Sequence, residues 1–118
     1  MNESDPNGID QHTPGAKLDH GKPAVWLCLA GFANALREVA NVTTVGARKY
    51  TPNGWMSVPD GSQRYMDAFG RHMLALGSGE ERDRDTGCLH KAQMAWNILA
   101  SLELDLRAKR NSQVDEVS

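Results

Sequence analysis

The chain has 118 residues, 40% of them hydrophobic, with only two Phe, two Tyr and three Trp, so it holds one small folding unit whose core a partner subunit would usefully complete. Thirteen Lys+Arg against fifteen Asp+Glu leave a net charge of −2, which gives no uniform field toward nucleic acid or anionic lipid, and no stable nucleic-acid binding is expected. No apolar run approaches the ~20 residues of a membrane span, and the first residues lack the basic and apolar stretches of a signal peptide, so the expected location is the cytoplasm. Cys28 and Cys88 stand far apart and outside any C-x-x-C pair; two buried thiols are expected.

Residues 1–16 are rich in Gly, Pro, Asn, Asp and Ser with almost nothing apolar, and read as a disordered N-terminal tail. From Pro23 onward Leu29, Phe32, Ala33, Leu36, Val39 and Ala40 recur at three- and four-residue steps, which predicts a helix over about Pro23–Val45. Pro23 suits its first turn and Gly46 its end. Two prolines and two glycines between Tyr50 and Gly61 forbid a long regular element there. Asp60 with Gln63 reads as a capping box, and Tyr65, Ala68, Phe69, His72 and Leu76 form the stripe of a second helix over about Ser62–Leu76. Gly77-Ser78-Gly79 ends it, and Thr86 caps a third helix running to about Lys109. In that helix Cys88, Ala92, Ala95, Leu99, Leu102 and Leu106 make an apolar stripe, with Trp96, Ile98 and Ala100 off it, the pattern of a helix buried on several sides. Residues 110–118 read as a polar tail, leaving 17–109 as the domain. No run alternates with period two for long, so the fold class is all-α.

Three sets of residues carry possible chemistry. The run from Gly79 to Gly87 holds four carboxylates in six residues, Glu80, Glu81, Asp83 and Asp85. Clustered oxygen ligands suit Mg²⁺, and Glu80 and Asp83 share one side of a helical turn; acids favoured at a helix N-terminus explain the same run. Glu38 lies on the polar stripe of the first helix, which a solvated face also explains, and Asp67 stands four residues before Arg71, the spacing of an ion pair. His90 and Asn97, seven residues apart, share a face of the third helix, where a buried polar pair must be bonded to a ligand or to a neighbouring helix. Lys17, Lys22, Arg48 and Lys49 flank the first helix beside Tyr50 and Trp55. Cations clamp phosphates and such rings stack on bases, although surface cations and a ring-plugged core would look the same. No P-loop, no His-Asp doublet and no zinc spacing of His and Cys occurs.

Four segments in order then resemble one family: Gly15-Ala16-Lys17-Leu18-Asp19-His20-Gly21-Lys22-Pro23; Val45-Gly46-Ala47-Arg48-Lys49-Tyr50 with Trp55; Arg64-Tyr65-Met66-Asp67-Ala68-Phe69-Gly70-Arg71-His72; and Gly79-Glu80 through Asp83-Arg84-Asp85-Thr86-Gly87 to His90 and Asn97. The chain is similar, from about Lys17 to Leu106, to the phage dATP/dGTP diphosphohydrolases, a branch related to the all-α MazG-like nucleotide pyrophosphohydrolases. It departs from the family pattern at Asp85-Thr86-Gly87, where Glu-Ser-Gly is usual, and at Gly54, which separates Asn53 from Trp55. The Glu-Glu-x-x-Glu signature of the wider group is absent, and Glu38 is the only acid on the first helix.

The resemblance implies a MazG-like helical bundle, dimeric or tetrameric, that hydrolyses dATP or dGTP to the monophosphate and pyrophosphate in phage nucleotide or 2-aminoadenine metabolism. It implies Mg²⁺, or Mn²⁺, on Glu80 and Asp83, with Glu38, Asp67 and Asp85 as further ligands. Asp83, Glu80 and His90 are then the catalytic candidates. Lys17, Lys22, Lys49 and Arg71 would hold phosphates, Tyr50 or Trp55 would face the base, and His72, His90 and Asn97 would orient sugar or water. Two other readings fit the residues: a pyrophosphohydrolase for dUTP, dCTP or damaged nucleotides, and a non-enzymatic helical protein that binds a host partner or nucleic acid.

Overall fold

The structure, a computed structural model, describes residues 3–117, with side chains to residue 113. The described residues are helical and turn segments without a strand, so the fold is all-α, in agreement with the sequence reading and consistent with a MazG-like fold. The order is α1 (Val25–Gly31), α2 (Ala33–Lys49), a single 3₁₀ turn (Gly54–Ser57), α3 (Gly61–Gly77) and α4 (His90–Val117). The chain divides into two compact units, one ending at Phe32 and one beginning at Ala33.

In the first unit Asp5 organises the turns. Its carboxylate accepts the backbone amides of Asn7 (2.7 Å) and Lys17 (2.8 Å), and the His20 amide donates to the Ser4 carbonyl at 2.8 Å. Lys22 pairs with Glu3 at 3.0 Å. α1 closes the unit and is exposed along its whole length, Trp26 at 81%. Cys28 is therefore exposed, against expectation, and only Cys88 is buried.

The expected Pro23–Val45 helix is two helices. At Phe32 (φ −110°, ψ 23°) the backbone leaves the α region, and its amide is shared between the carbonyls of Cys28 and Leu29, both at 3.3 Å. Gly31, with its large conformational entropy, precedes the break. α2 continues through Gly46 to Lys49, since its φ there is ordinary and the bonds of the last turn hold. Leu36, Glu38, Val39, Val42, Val45 and Ala47 are its half-buried side chains; Ala33 and Ala40 of the expected stripe are exposed.

α3 occupies nearly the expected span, and all five residues of its stripe are at least half-buried. The capping box does not form. Asp60 sits in the left-handed region (φ 54°) and makes no side-chain cap bond, while Gln63 donates to Asp67 at 3.1 Å. Gly61 packs closely on α4: a Cβ there would lie 2.8 Å from Leu104 Cδ1, so the Leu104 side chain would have to shift.

α4 starts at His90, four residues after the expected cap at Thr86, and runs beyond Lys109. Before it, residues 81–90 close a tight loop: the Asp83 amide donates to the Cys88 carbonyl at 2.8 Å, Gly87 donates to the Asp83 carbonyl at 2.8 Å, and His90 donates to the Glu81 carbonyl at 2.9 Å. Gly87 takes φ 76°, a conformation a side chain would strain. α3 and α4 run antiparallel, as the pairings Ser62/Ser101, Tyr65/Trp96 and His72/His90 require.

The inward face of α4 is not the apolar stripe. His90, Gln93, Asn97, Ala100 and Ser101 are buried along one line, whereas Leu99, Leu102 and Leu106 are about half exposed, at 50%, 52% and 54%. The core here is made of aromatic edges and small or polar side chains. Trp55, Tyr65 and Trp96 meet edge to face, with centroids 5.4 to 6.4 Å apart, a geometry worth about 0.5–1.5 kcal/mol per pair beyond burial. The Tyr65 hydroxyl donates to the Trp55 carbonyl at 2.9 Å, and burial pushes its pKa up. No described helix is long and apolar enough to cross a membrane.

Candidate active site

The loop 81–90 and helices α3 and α4 bring His72, Asp83 and His90 together. One donor atom from each lies within 4.8 Å of the others. His72 Nδ1 and His90 Nδ1 are 2.9 Å apart, and His72 Nδ1 is 4.0 Å from Asp83 Oδ2. His90 is 4% exposed, and its Nε2 has no hydrogen-bond partner, with Glu80 Oε1 at 3.5 Å.

A polar network fixes these groups. Gln93 Nε2 donates to Asp83 Oδ2 at 3.2 Å, and the Asp85 amide donates to Asp83 Oδ1 at 2.9 Å. Thr86 Oγ1 donates to Gln93 Oε1 (3.3 Å) and accepts the Cys88 amide (3.1 Å). Asn97 Nδ2 is satisfied by the Gln93 carbonyl at 2.8 Å. Asp83 and Gln93, each bonded through both side-chain polar atoms, are held in one geometry.

The network also sets charge. Burial works against ionisation of Asp83, but the Asp85 amide, Gln93, His90 and His72 outweigh it and hold the carboxyl below its usual range. Burial pushes the His72 imidazole below the ordinary histidine range; His90 adds to this, Asp83 opposes it and Arg71 adds a little. At neutral pH the pair is an ionised carboxylate beside an uncharged imidazole.

Two adjoining cavities open beside the cluster. The first, about 390 Å³, is lined by His72, Asp83, Asp85, Lys49, Arg71 and Gln93 among others. The second, about 490 Å³, is lined by Trp55, Tyr65, Trp96 and Tyr50. They share Val42, Gly46, Tyr50, Ala68, Arg71 and Trp96, so the two form one cleft with an aromatic end and an ionic end. Lys49 reaches Asp85 at 3.4 Å, a contact that raises the Lys49 pKa.

The model of the dATP/dGTP diphosphohydrolase N-terminal family matches residues 12–114. The chain belongs to that family. A dATP/dGTP diphosphohydrolase of Salmonella phage PMBT28 is 33% identical over 85 residues, which cover 72% of this chain and 28% of that protein. The chain thus matches under a third of the length of that relative. No solved structure matches significantly.

In this family member the expected site residues fall into four groups. Asp83, His72 and His90 form the cluster, with Glu80 behind His90. Lys49, Tyr50, Arg71, Asp85 and Asn97 line the ionic cavity, and Trp55 lines the aromatic one. Glu38 on α2 and Asp67 on α3 belong neither to the cluster nor to the cavity lining. Asp67 bonds to Gln63, and no Asp67 to Arg71 ion pair forms among the described residues. Lys17 and Lys22 lie in the first unit. Sequence reasoning missed Gln93, Tyr65 and Trp96. The signal for Gln93 was available, since His90, Gln93, Asn97 and Ser101 recur at steps of three and four.

The donor set bears on the metal. Mg²⁺ takes oxygen ligands, whereas two of the three clustered donors here are imidazole nitrogens. Of the nearby carboxylates, Asp85 faces Lys49 and Glu80 faces His90. The cluster does not fit a Mg²⁺ ion held by protein carboxylates.

Proposed function

We propose that this chain hydrolyses a purine deoxynucleoside triphosphate, dATP or dGTP, to the monophosphate and pyrophosphate. The observation that carries the reading is the two-ended cleft. Its aromatic end offers Trp55, Tyr65 and Trp96 to a base, and its ionic end offers Arg71 and Lys49 to phosphates beside Asp83 and His72. Stacking on such rings is worth about 1–3 kcal/mol per base, and the cavity volumes suit a nucleotide. Family membership supports the same chemistry.

In this reading Tyr50 or Trp55 contacts the base, and Arg71, which lines both cavities, spans from sugar to phosphate. Arg71 and Lys49 offset charge on the phosphates as water attacks the α-phosphorus and pyrophosphate leaves. Asp83 and His90, with Glu80 orienting His90, form the end where that water is positioned. Asn97, which lines the ionic end and donates to the Gln93 carbonyl, orients sugar or water there. A divalent ion is part of the reading. The reaction belongs to phage nucleotide metabolism in the cytoplasm, the consumer of its product being an enzyme that acts on purine deoxynucleoside monophosphates.

The protein is also proposed to assemble with copies of itself, on the strength of the outward leucines of α4. The test of function is a panel of the four common deoxynucleoside triphosphates and dUTP, assayed with divalent metals for pyrophosphate release. Purines are expected to be cleaved at least tenfold faster than pyrimidines. Preference for dUTP or dCTP would replace the substrate reading, and no pyrophosphate from any triphosphate would favour a non-enzymatic binding protein.

A further inference from the structure

We infer that His72, His90 and Asp83 form a binding site for one transition-metal ion of the zinc or cobalt type, selected over Mg²⁺ by its two nitrogen ligands. The inference deepens the reading of the site given above without depending on the substrate. Donors around a tetrahedral ion at about 2.0–2.1 Å stand about 3.3 Å apart. The separations here, 2.9 Å between the imidazole nitrogens and 4.0 Å from His72 Nδ1 to Asp83 Oδ2, bracket that value.

The surroundings orient the ligands. His90 is 4% exposed, with its Nδ1 turned to His72 and its Nε2, which has no hydrogen-bond partner, turned to Glu80. Glu80 Oε1 stands 3.5 Å away, which favours a proton on Nε2 and leaves the Nδ1 lone pair aimed at His72. An imidazole that binds a metal through one nitrogen and donates its other N–H to a carboxylate is the usual arrangement around such ions. Gln93 and the Asp85 amide hold both oxygens of Asp83 in place in the same way. In the metal-free protein the two Nδ1 atoms can share only one proton, and binding the ion moves that proton to the partly exposed far side of His72.

Three protein ligands are what a catalytic rather than structural site provides, with the remaining position left for water or substrate. Both His72 and Asp83 line the ionic cavity, so that position faces the cleft. Imidazole suits ions of the zinc and cobalt type, and Mg²⁺ prefers oxygen throughout. The sequence lacks a local zinc motif because the ligands come from α3, the loop before α4 and the first residue of α4, with spacings set by the fold alone.

The test uses the full chain stripped of metal by a chelator and titrated with Co²⁺, whose visible absorption reports coordination. One equivalent of Co²⁺ is expected to give bands distinct from the aqueous ion, displaced by Zn²⁺ and unaffected by a hundredfold excess of Mg²⁺. His72→Ala is expected to abolish the bands while leaving the circular dichroism intact. Glu80→Gln is expected to weaken Co²⁺ binding about 10–100-fold, as changes behind a ligand do. Should His90→Ala fail to fold, His72→Ala and Asp83→Asn carry the test, since neither is fully buried. Aqueous-like spectra in the wild type, bands that persist in His72→Ala, or displacement by equimolar Mg²⁺ would each overturn the inference. A protein that binds Co²⁺ here and cleaves no nucleotide refutes the function and keeps the metal site; nucleotide cleavage without Co²⁺ bands does the reverse.

Discussion

The two faces of α4 divide its labour in the opposite sense to their polarity. The inward face carries His90, Gln93, Asn97 and Ser101, all under 9% exposed, and the outward face carries Leu99, Leu102 and Leu106, all half exposed. A helix normally turns its apolar stripe to the core. Here the polar stripe is buried because each of its members reaches a partner: Asp83 and Thr86 for Gln93, the Gln93 carbonyl for Asn97, Ser62 for Ser101 and His72 for His90. Burial of a polar face is tolerated when it is bonded, and exposure of an apolar one signals a surface for another chain. In the proposed reading the inner face is the site, and the outer face is where a second copy is proposed to bury its leucines.

The largest effect is expected on the inner face. Asp83→Asn keeps the shape of the side chain but removes the charge facing two imidazoles, and pyrophosphate release should fall by about 10²–10⁴-fold, the range for a group acting at the reacting centre. Circular dichroism should not change. Turnover within tenfold of wild type would remove Asp83 from the site.

On the outer face, Leu99→Ser combined with Leu102→Ser should do the opposite. Both side chains are half exposed within the single chain, so its folding should lose no more than about 1 kcal/mol. The mass in solution, read by light scattering, should drop to that of one chain. An unchanged mass would show that this face is not the interface.

The smallest effect is a dependence on pH that separates the faces by stability. In the metal-free protein His72 has its pKa depressed, so between the folded and unfolded values the unfolded chain binds more protons. Stability should be complete above about pH 6.5, the unfolded value, and fall as the pH drops through the lower folded value. Asp83, also depressed, loses its contribution in the same direction, below the ordinary carboxylate range. Thermal melts from pH 7.5 to 5 should show a decline in Tm that His72→Gln flattens. A decline of equal slope in that variant would assign it to other groups.

Much of this was legible in the residues. Helical periodicity and glycine punctuation gave the all-α class and α3 within a residue at each end, because α3 obeys the ordinary rule of an inward stripe. The order of four short motifs pointed to the family that the chain belongs to. Asp83, His72, Arg71, Lys49, Tyr50 and Trp55 were all singled out, and the fold gathers them around one cleft, with His90 behind His72 and Asp83. Glu38 and Asp67, read from the same chemistry of carboxylates, stay apart from it. Spacing along one helix says which side chains share a face, not which neighbouring element that face meets.

What the sequence determined by itself was local: where helices form, which residues can bear charge or bind a cation, and that the core is small. The tertiary structure decided everything that depends on two elements meeting. It placed the first residue of α4 against His72, brought Asp83 to both through a loop that needs a glycine at position 87, and turned the leucine stripe outward. The reason is physical. A residue's polarity sets the cost of burying it alone, but the sign of that cost is reversed or removed by a partner, and partners distant in sequence are supplied only by the packed fold.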